Sequence, residues 1–143
     1  MTPIDQNPKV EGAHRSLLII WAGIFLAVAG FLLMTILVPS KAQRDDNVLP
    51  IVLIGVGFAN VVLSFILKKS FLAKSVAQQD LKLVQQAYIV ALALCETACL
   101  LGLLIHFITG SIYYYAAFAI GVMGILLHVP RKQHLLDATF KQL

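Results

Sequence analysis

Residues 85–108 read QQAYIVALALCETACLLGLLIHFI. Apart from the two leading glutamines, Glu96, Thr97 and His106, every residue in this run is apolar or small. About 20 such residues suffice for a helix to cross a hydrocarbon core of roughly 30 Å. Lipid offers no hydrogen-bond partner to bare peptide groups, so a crossing segment of this kind must be helical. Three other stretches share its character: 16–38, 50–67 and 112–129. The first is stopped by Pro39 and the last by Pro130, while Pro50 suits the first turn of the second. The reading is an all-α integral membrane protein with four transmembrane helices.

The composition agrees. Of the 143 residues, 59% are hydrophobic and 13% charged, and the mean hydropathy is +0.87. Soluble domains carry about 25% charged residues, and a small soluble domain buries only part of its surface. The bilayer is therefore the expected solvent for most of this chain. The net charge of +4 points to anionic lipid headgroups as partners. Nucleic acid is not expected, because the basic residues flank apolar runs and form no domain of their own.

The basic residues also set an orientation. Lys9 and Arg15, then Lys68, Lys69, Lys74 and Lys82, then Arg131, Lys132 and Lys141 fall on one side of the four spans, against Lys41 and Arg44 on the other. The positive-inside rule makes the richer side cytoplasmic. Both termini are then inside, with a cytoplasmic tail over 1–15 and an amphipathic cytoplasmic tail over 130–143. The latter, with Leu135, Leu136 and Phe140 among charges, reads as a short helix on the membrane surface. Trp21 falls toward the inner interface, and Tyr113, Tyr114 and Tyr115 toward the outer one as an aromatic belt. The first span is too long, and lacks the small-residue cleavage pattern, for a removable signal peptide. The expected setting is a bacterial inner (plasma) membrane.

Glu96 is the one acidic residue inside a span. An ionised carboxylate at mid-bilayer costs about 2.5–3.5 kcal/mol on insertion scales. It is expected to be protonated, hydrogen-bonded, or facing water or another helix, and intramembrane ionisable groups are functional by default. Gln85, Leu92, Cys99 and His106 recur every seven residues, interleaved with Ile89, Glu96 and Leu103, which reads as a helix-packing seam. On the second span Gly57, Asn60 and Ser64 share one face, with Asn60 at about the depth of Glu96. The expectation is an ion-binding group of Glu96, Asn60 and Ser64, Asn60 donating to Glu96, with Cys99 and His106 as seam neighbours. The alternative for Asn60 is a bond to a backbone carbonyl.

Glu96 and His106 lie nearly three turns apart, roughly 15 Å, so no single metal bridges them, and no metal or cofactor is expected. Cys95 and Cys99 read as small buried apolar residues. His106 and His128, each near the end of a span, read as interface histidines. Gly23, Ala27 and Gly30 on the first span, and Ala117, Gly121 and Gly124 on the fourth, form small-residue faces suited to close helix packing, most simply within the chain. No nucleotide loop and no hydrolase or zinc-protease motif is present, and an enzyme is not expected.

Ala77-Gln78-Gln79-Asp80-Leu81, the run Gln86 to Glu96, and Gly102-Leu103 resemble the loop and second helix of the proteolipid c subunit of rotary ATP synthases. In that family a central Asp or Glu carries the transported proton or sodium ion, and the resemblance implies that role for Glu96. It covers about a quarter of the chain. The preceding span has only Gly55, Gly57 and Ala59 where the family has a long glycine-alanine run. Ala77-Gln78-Gln79 stands in place of Arg-Gln-Pro, and the first and fourth spans have no counterpart in a two-helix c subunit. The functional expectation is a small ion-translocating or channel-forming subunit, working as a homo-oligomer or with other membrane subunits. The alternative is a non-catalytic accessory or scaffold subunit of a larger membrane complex. A small dimeric solute transporter is disfavoured by the lack of a broken helix pair or inverted repeat.

Overall fold

The computed structural model describes residues 8–40 and 48–139. Five helices account for nearly all of them: α1 Pro8–Leu37, α2 Val48–Gln78, α3 Leu81–Thr109, α4 Tyr114–Leu127 and α5 Lys132–Thr139. Lys41, Arg44, Phe140 and Lys141, which entered the reading of the loop and tails, lie outside the described residues.

Three of the helices, α1, α2 and α3, are long and apolar enough to cross a membrane. α4 has 14 residues, about 21 Å at 1.5 Å per residue, and falls short of the hydrocarbon thickness. It passes the same test only together with α5, from which it is bent by 48°, so the chain has three such helices or up to four.

α3 is the central element, packed on α2, α4 and α1. Its own apolar window is 44% buried, against 22% for α2 and 11% for α1. The outward faces carry large apolar side chains such as Ile19, Leu26, Ile36, Phe58 and Ile66. Such a surface suits lipid, where apolar exposure costs nothing.

Local chemistry fixes the turns. α2 runs on through the basic stretch after residue 67 and is about 46 Å long at 1.5 Å per residue. It ends where Gln79 takes a positive φ of 52°. Asp80 then caps α3, its side chain accepting from the Lys82 N–H at 2.8 Å. α3 stops at Gly110, whose φ of 64° is left-handed and whose N–H returns to the His106 carbonyl. The tight turn expected at 109–111 is thus present, and the Thr109 hydroxyl accepts from the Ser111 N–H.

One expectation is corrected at the basic end. The expected N-terminal tail over 1–15 is helical from Pro8, and Val10 is fully buried. α5 does not turn all of its apolar side chains outward either. It turns Leu135 and Ala138 into a second core with Val10, Leu17, Val84 and Tyr88. Each of α1 and α5 is amphipathic only over a short reach, and each buries its apolar side against the other and the ends of α2 and α3. Polar contacts lock the arrangement. The Tyr88 hydroxyl accepts from the Arg131 N–H at 3.0 Å and lies 2.7 Å from His134 Nδ1. His14 Nε2 reaches the Pro130 carbonyl at 3.3 Å. Lys68 Nζ sits 4.2 Å over the Tyr88 ring, a cation–π contact.

Candidate functional site

The α3 face that enters the core is made of small residues. Ala91, Cys95, Ala98, Cys99 and Gly102 are all buried, with Leu92 beside them. This lets α2 and α4 approach at backbone distance. A Cβ placed on Gly57 would lie 3.4 Å from Ala98 Cβ. One on Gly121 would stand 2.9 Å from the Cys95 carbonyl oxygen and collide with Cys99 Sγ, and one on Gly124 would stand 2.6 Å from Cys95 Sγ. The fourth-span face Ala117, Gly121 and Gly124 therefore packs within the chain. The first-span face does not: no atom lies within 4 Å of a Cβ at Gly23 or Gly30, and both glycines are exposed.

The packing also fixes the rotation of α3. Ala98 faces Gly57 of α2. Glu96 precedes Ala98 by two residues, about 200° round the helix at 3.6 residues per turn. Glu96 consequently stands on the far side of α3 from α2, half-buried at the edge of the core. Among the described residues no hydrogen bond or ion pair reaches it, and none joins it to Asn60. Asn60 is half-buried on α2, and among the described residues it makes no hydrogen bond to a carbonyl either. The seam is centred on Cys95 and Cys99, while Ile89, Glu96 and Leu103 form its flank.

Ser64 is fully buried, but its partners are not Glu96 or Asn60. Its Oγ lies 2.6 Å from the Val61 carbonyl, 3.6 Å from Cys95 Sγ and 3.3 Å from His128 Nε2. His128 is itself fully buried, at the end of α4, with Phe65 tilted against its ring. Its Nδ1 is 2.7 Å from the Gly124 carbonyl. A carbonyl only accepts, so Nδ1 carries a proton. With His128 neutral, Nε2 accepts, and the one Ser64 proton chooses between that nitrogen and the Val61 carbonyl. With His128 protonated, Nε2–H donates to Ser64 and the hydroxyl donates to Val61. Ser64 can satisfy either state by rotating one hydroxyl, with the Cys95 thiol donating into its remaining lone pair.

The sequence reading missed this trio of Ser64, Cys95 and His128. A signal was present: Gly121, Gly124 and His128 follow a three-then-four spacing on one face of α4, two close-approach glycines leading to a polar residue.

His106 closes the opposite end. Its Nε2 donates to the Val38 carbonyl at 2.9 Å, just past the last turn of α1, and its ring packs edge-on against Tyr114. Tyr114 is buried, so only Tyr113 and Tyr115 are exposed there. Trp21 donates Nε1–H to the Ile125 carbonyl at 2.9 Å and ties α1 to the last turn of α4.

Among the described residues no three His, Cys, Asp or Glu side chains converge as a metal site. No protein-family model, no curated protein and no solved structure matches this chain.

Proposed function

We propose that the protein is a small integral membrane subunit, with four spans and both termini in the cytoplasm, whose Glu96 binds a proton or a cation where the subunit meets a neighbour. The observation that carries this reading is the position of Glu96: midway along α3, half-buried at the edge of the core, with no hydrogen-bond or ion-pair partner among the described residues. At hydrocarbon depth an unpaired carboxylate is disfavoured. The group must hold a proton, or meet a cation or a polar partner from outside the bundle.

The core beside it is close-packed, with Cys95, Cys99 and Gly102 against Gly121, Gly124 and Phe118. Ion transfer through the middle of one subunit would need that packing to open. Transfer along its outer side, at a contact between subunits, would not. The partial resemblance to a proteolipid c subunit supports the same reading. Asn60 and Ser64 do not belong to this site, since they lie on the helix that packs against the opposite side of α3.

That separation also favours a second reading. Without Asn60 and Ser64 around it, Glu96 serves a non-catalytic accessory subunit as a protonated hydrogen-bond donor that holds a partner helix.

Glu96→Gln and Glu96→Ala separate the two in reconstituted membranes, with assembly and ion flux both measured. Gln keeps hydrogen bonding but cannot ionise. For the ion-carrying role, Glu96→Gln assembles and loses flux. If Gln preserves both assembly and flux while Ala loses assembly, the carboxyl is structural. Carbodiimide labelling of Glu96 against pH gives a direct readout, because the reagent needs a protonated, reachable carboxyl. For the ion-carrying role, labelling falls as pH rises.

A further inference from the structure

At the basic end, α2 and α5 form the walls of an open groove of about 580 Å³. Phe65, Leu72, Ala73 and Val76 make its apolar surface, and Lys68, Lys69 and His134 its polar one. Two consecutive lysines in an apolar groove are uncommon unless something neutralises them. Among the described residues neither lysine makes an ion pair. Lys68 is half-buried and held over the Tyr88 ring, so its charge is fixed in place, while Lys69 is exposed. Arg131 adds positive charge nearby.

Depth matters as well. Phe65 and Ile66 belong to the apolar part of α2, and the lysines follow at once, where hydrocarbon gives way to headgroups. An occupant must therefore be anionic at the level of Lys68 and Lys69 and apolar at the level of Phe65. We propose that this groove binds one anionic phospholipid, its phosphate taken by Lys68 and Lys69 and its acyl carbons lying against Phe65. The proposal rests on the membrane-spanning reading of α2 but not on any role for Glu96. Charge complementarity selects the headgroup, because basic pockets at the ends of transmembrane helices favour anionic lipids. The apolar wall selects a lipid over a free phosphate.

The test is native mass spectrometry of the full chain released from detergent with phosphatidylglycerol or phosphatidylcholine added. The expected result is a single retained phosphatidylglycerol adduct, with phosphatidylcholine bound much more weakly. Lys68→Gln/Lys69→Gln weakens the adduct about 30-fold, the effect of two lost charges near an anionic lipid. Lys68→Arg/Lys69→Arg retains it. Lys74→Gln/Lys82→Gln removes the same charge from exposed positions outside the groove and leaves the adduct intact.

Should the first double variant fold poorly, thermal unfolding of the unaltered protein decides. Phosphatidylglycerol then raises the midpoint, and neither phosphatidylcholine nor inorganic phosphate does. Equal binding of the two lipids overturns the proposal. So does equal loss in the Lys74/Lys82 variant, which would mean diffuse attraction with no site. Stabilisation by inorganic phosphate alone would mean a small-anion site and also overturns it.

Discussion

At Gly124 a missing side chain decides a helix contact. The nearest atoms to a Cβ there are Cys95 Sγ at 2.6 Å and Val61 Cγ1 at 3.2 Å, contributed by two different helices. Gly124→Ala must push α4 away from both, and overpacking of this kind costs about 1–3 kcal/mol. The expected outcome is a lower midpoint in a denaturing-detergent titration. Gly23→Ala, on the open face of α1, should leave that midpoint unchanged or raise it slightly, because alanine favours helix. Ser64 and His128 meet the same helices through polar atoms. Hydrogen bonds between transmembrane helices average about 0.6 kcal/mol, so a double-mutant cycle of Ser64→Ala with His128→Phe should return a coupling of that order. A coupling near zero would mean that Ser64 is satisfied by the Val61 carbonyl alone. Glu96 is the residue whose place along its helix was legible in the sequence and whose direction was not. Counting residues from each end of the run fixes that place. Which way the side chain points depends on which α3 residues are small enough for a neighbouring backbone to approach.

Among the elements, α5 owes its position to tertiary contacts. Eight residues are too few for a stable isolated helix in water. It is held by Leu135 and Ala138 in the second core and by the Tyr88 hydroxyl, which meets both the Arg131 N–H and His134. Tyr88→Phe removes the shared hydroxyl and leaves a part-buried N–H unsatisfied, at a cost of about 1–3 kcal/mol. Faster amide exchange across 132–139, with the rest of α3 unchanged, is the expected signature. His134 adds a pH dependence. Burial, then the charge of Lys68 on α2, holds its imidazole below the usual 6.5; Arg131 acts the same way and Asp137 opposes them. The folded state thus binds the proton less readily than the unfolded one. The docking of α5 is at full strength above about pH 6.5 and weakens as pH falls toward the lowered folded-state value. Amide exchange in α5 should accelerate on acidification, and His134→Gln should flatten that response.

For the molecule as a whole, the four long or paired segments alternate in direction, so the start of α1, the α2–α3 turn and α5 share one end. All eight of the described lysines and arginines are at that end. If they are cytoplasmic, as proposed, an impermeant thiol reagent applied from outside cells should label Ile112→Cys and spare Ser70→Cys. Cys95 and Cys99 are buried and should contribute little background. Labelling of Ser70→Cys from outside would invert the topology and move the lipid groove to the outer leaflet.

The amino-acid sequence alone specified apolar helices long enough to cross a membrane and the place of Glu96 midway along one of them. These depend on transfer free energies and backbone satisfaction, which are summed residue by residue along the chain. Tertiary structure alone decided that Cys95 and not Glu96 lies at the centre of the seam, that Ser64 turns to His128, and that Val10 and Leu135 meet in a second core. In water a helix reveals its inner face by its apolar stripe. In lipid the outer face is apolar too, so the sequence pattern carries little directional signal, and the fit of glycines, cysteines and buried hydroxyls between neighbouring backbones sets each helix's rotation.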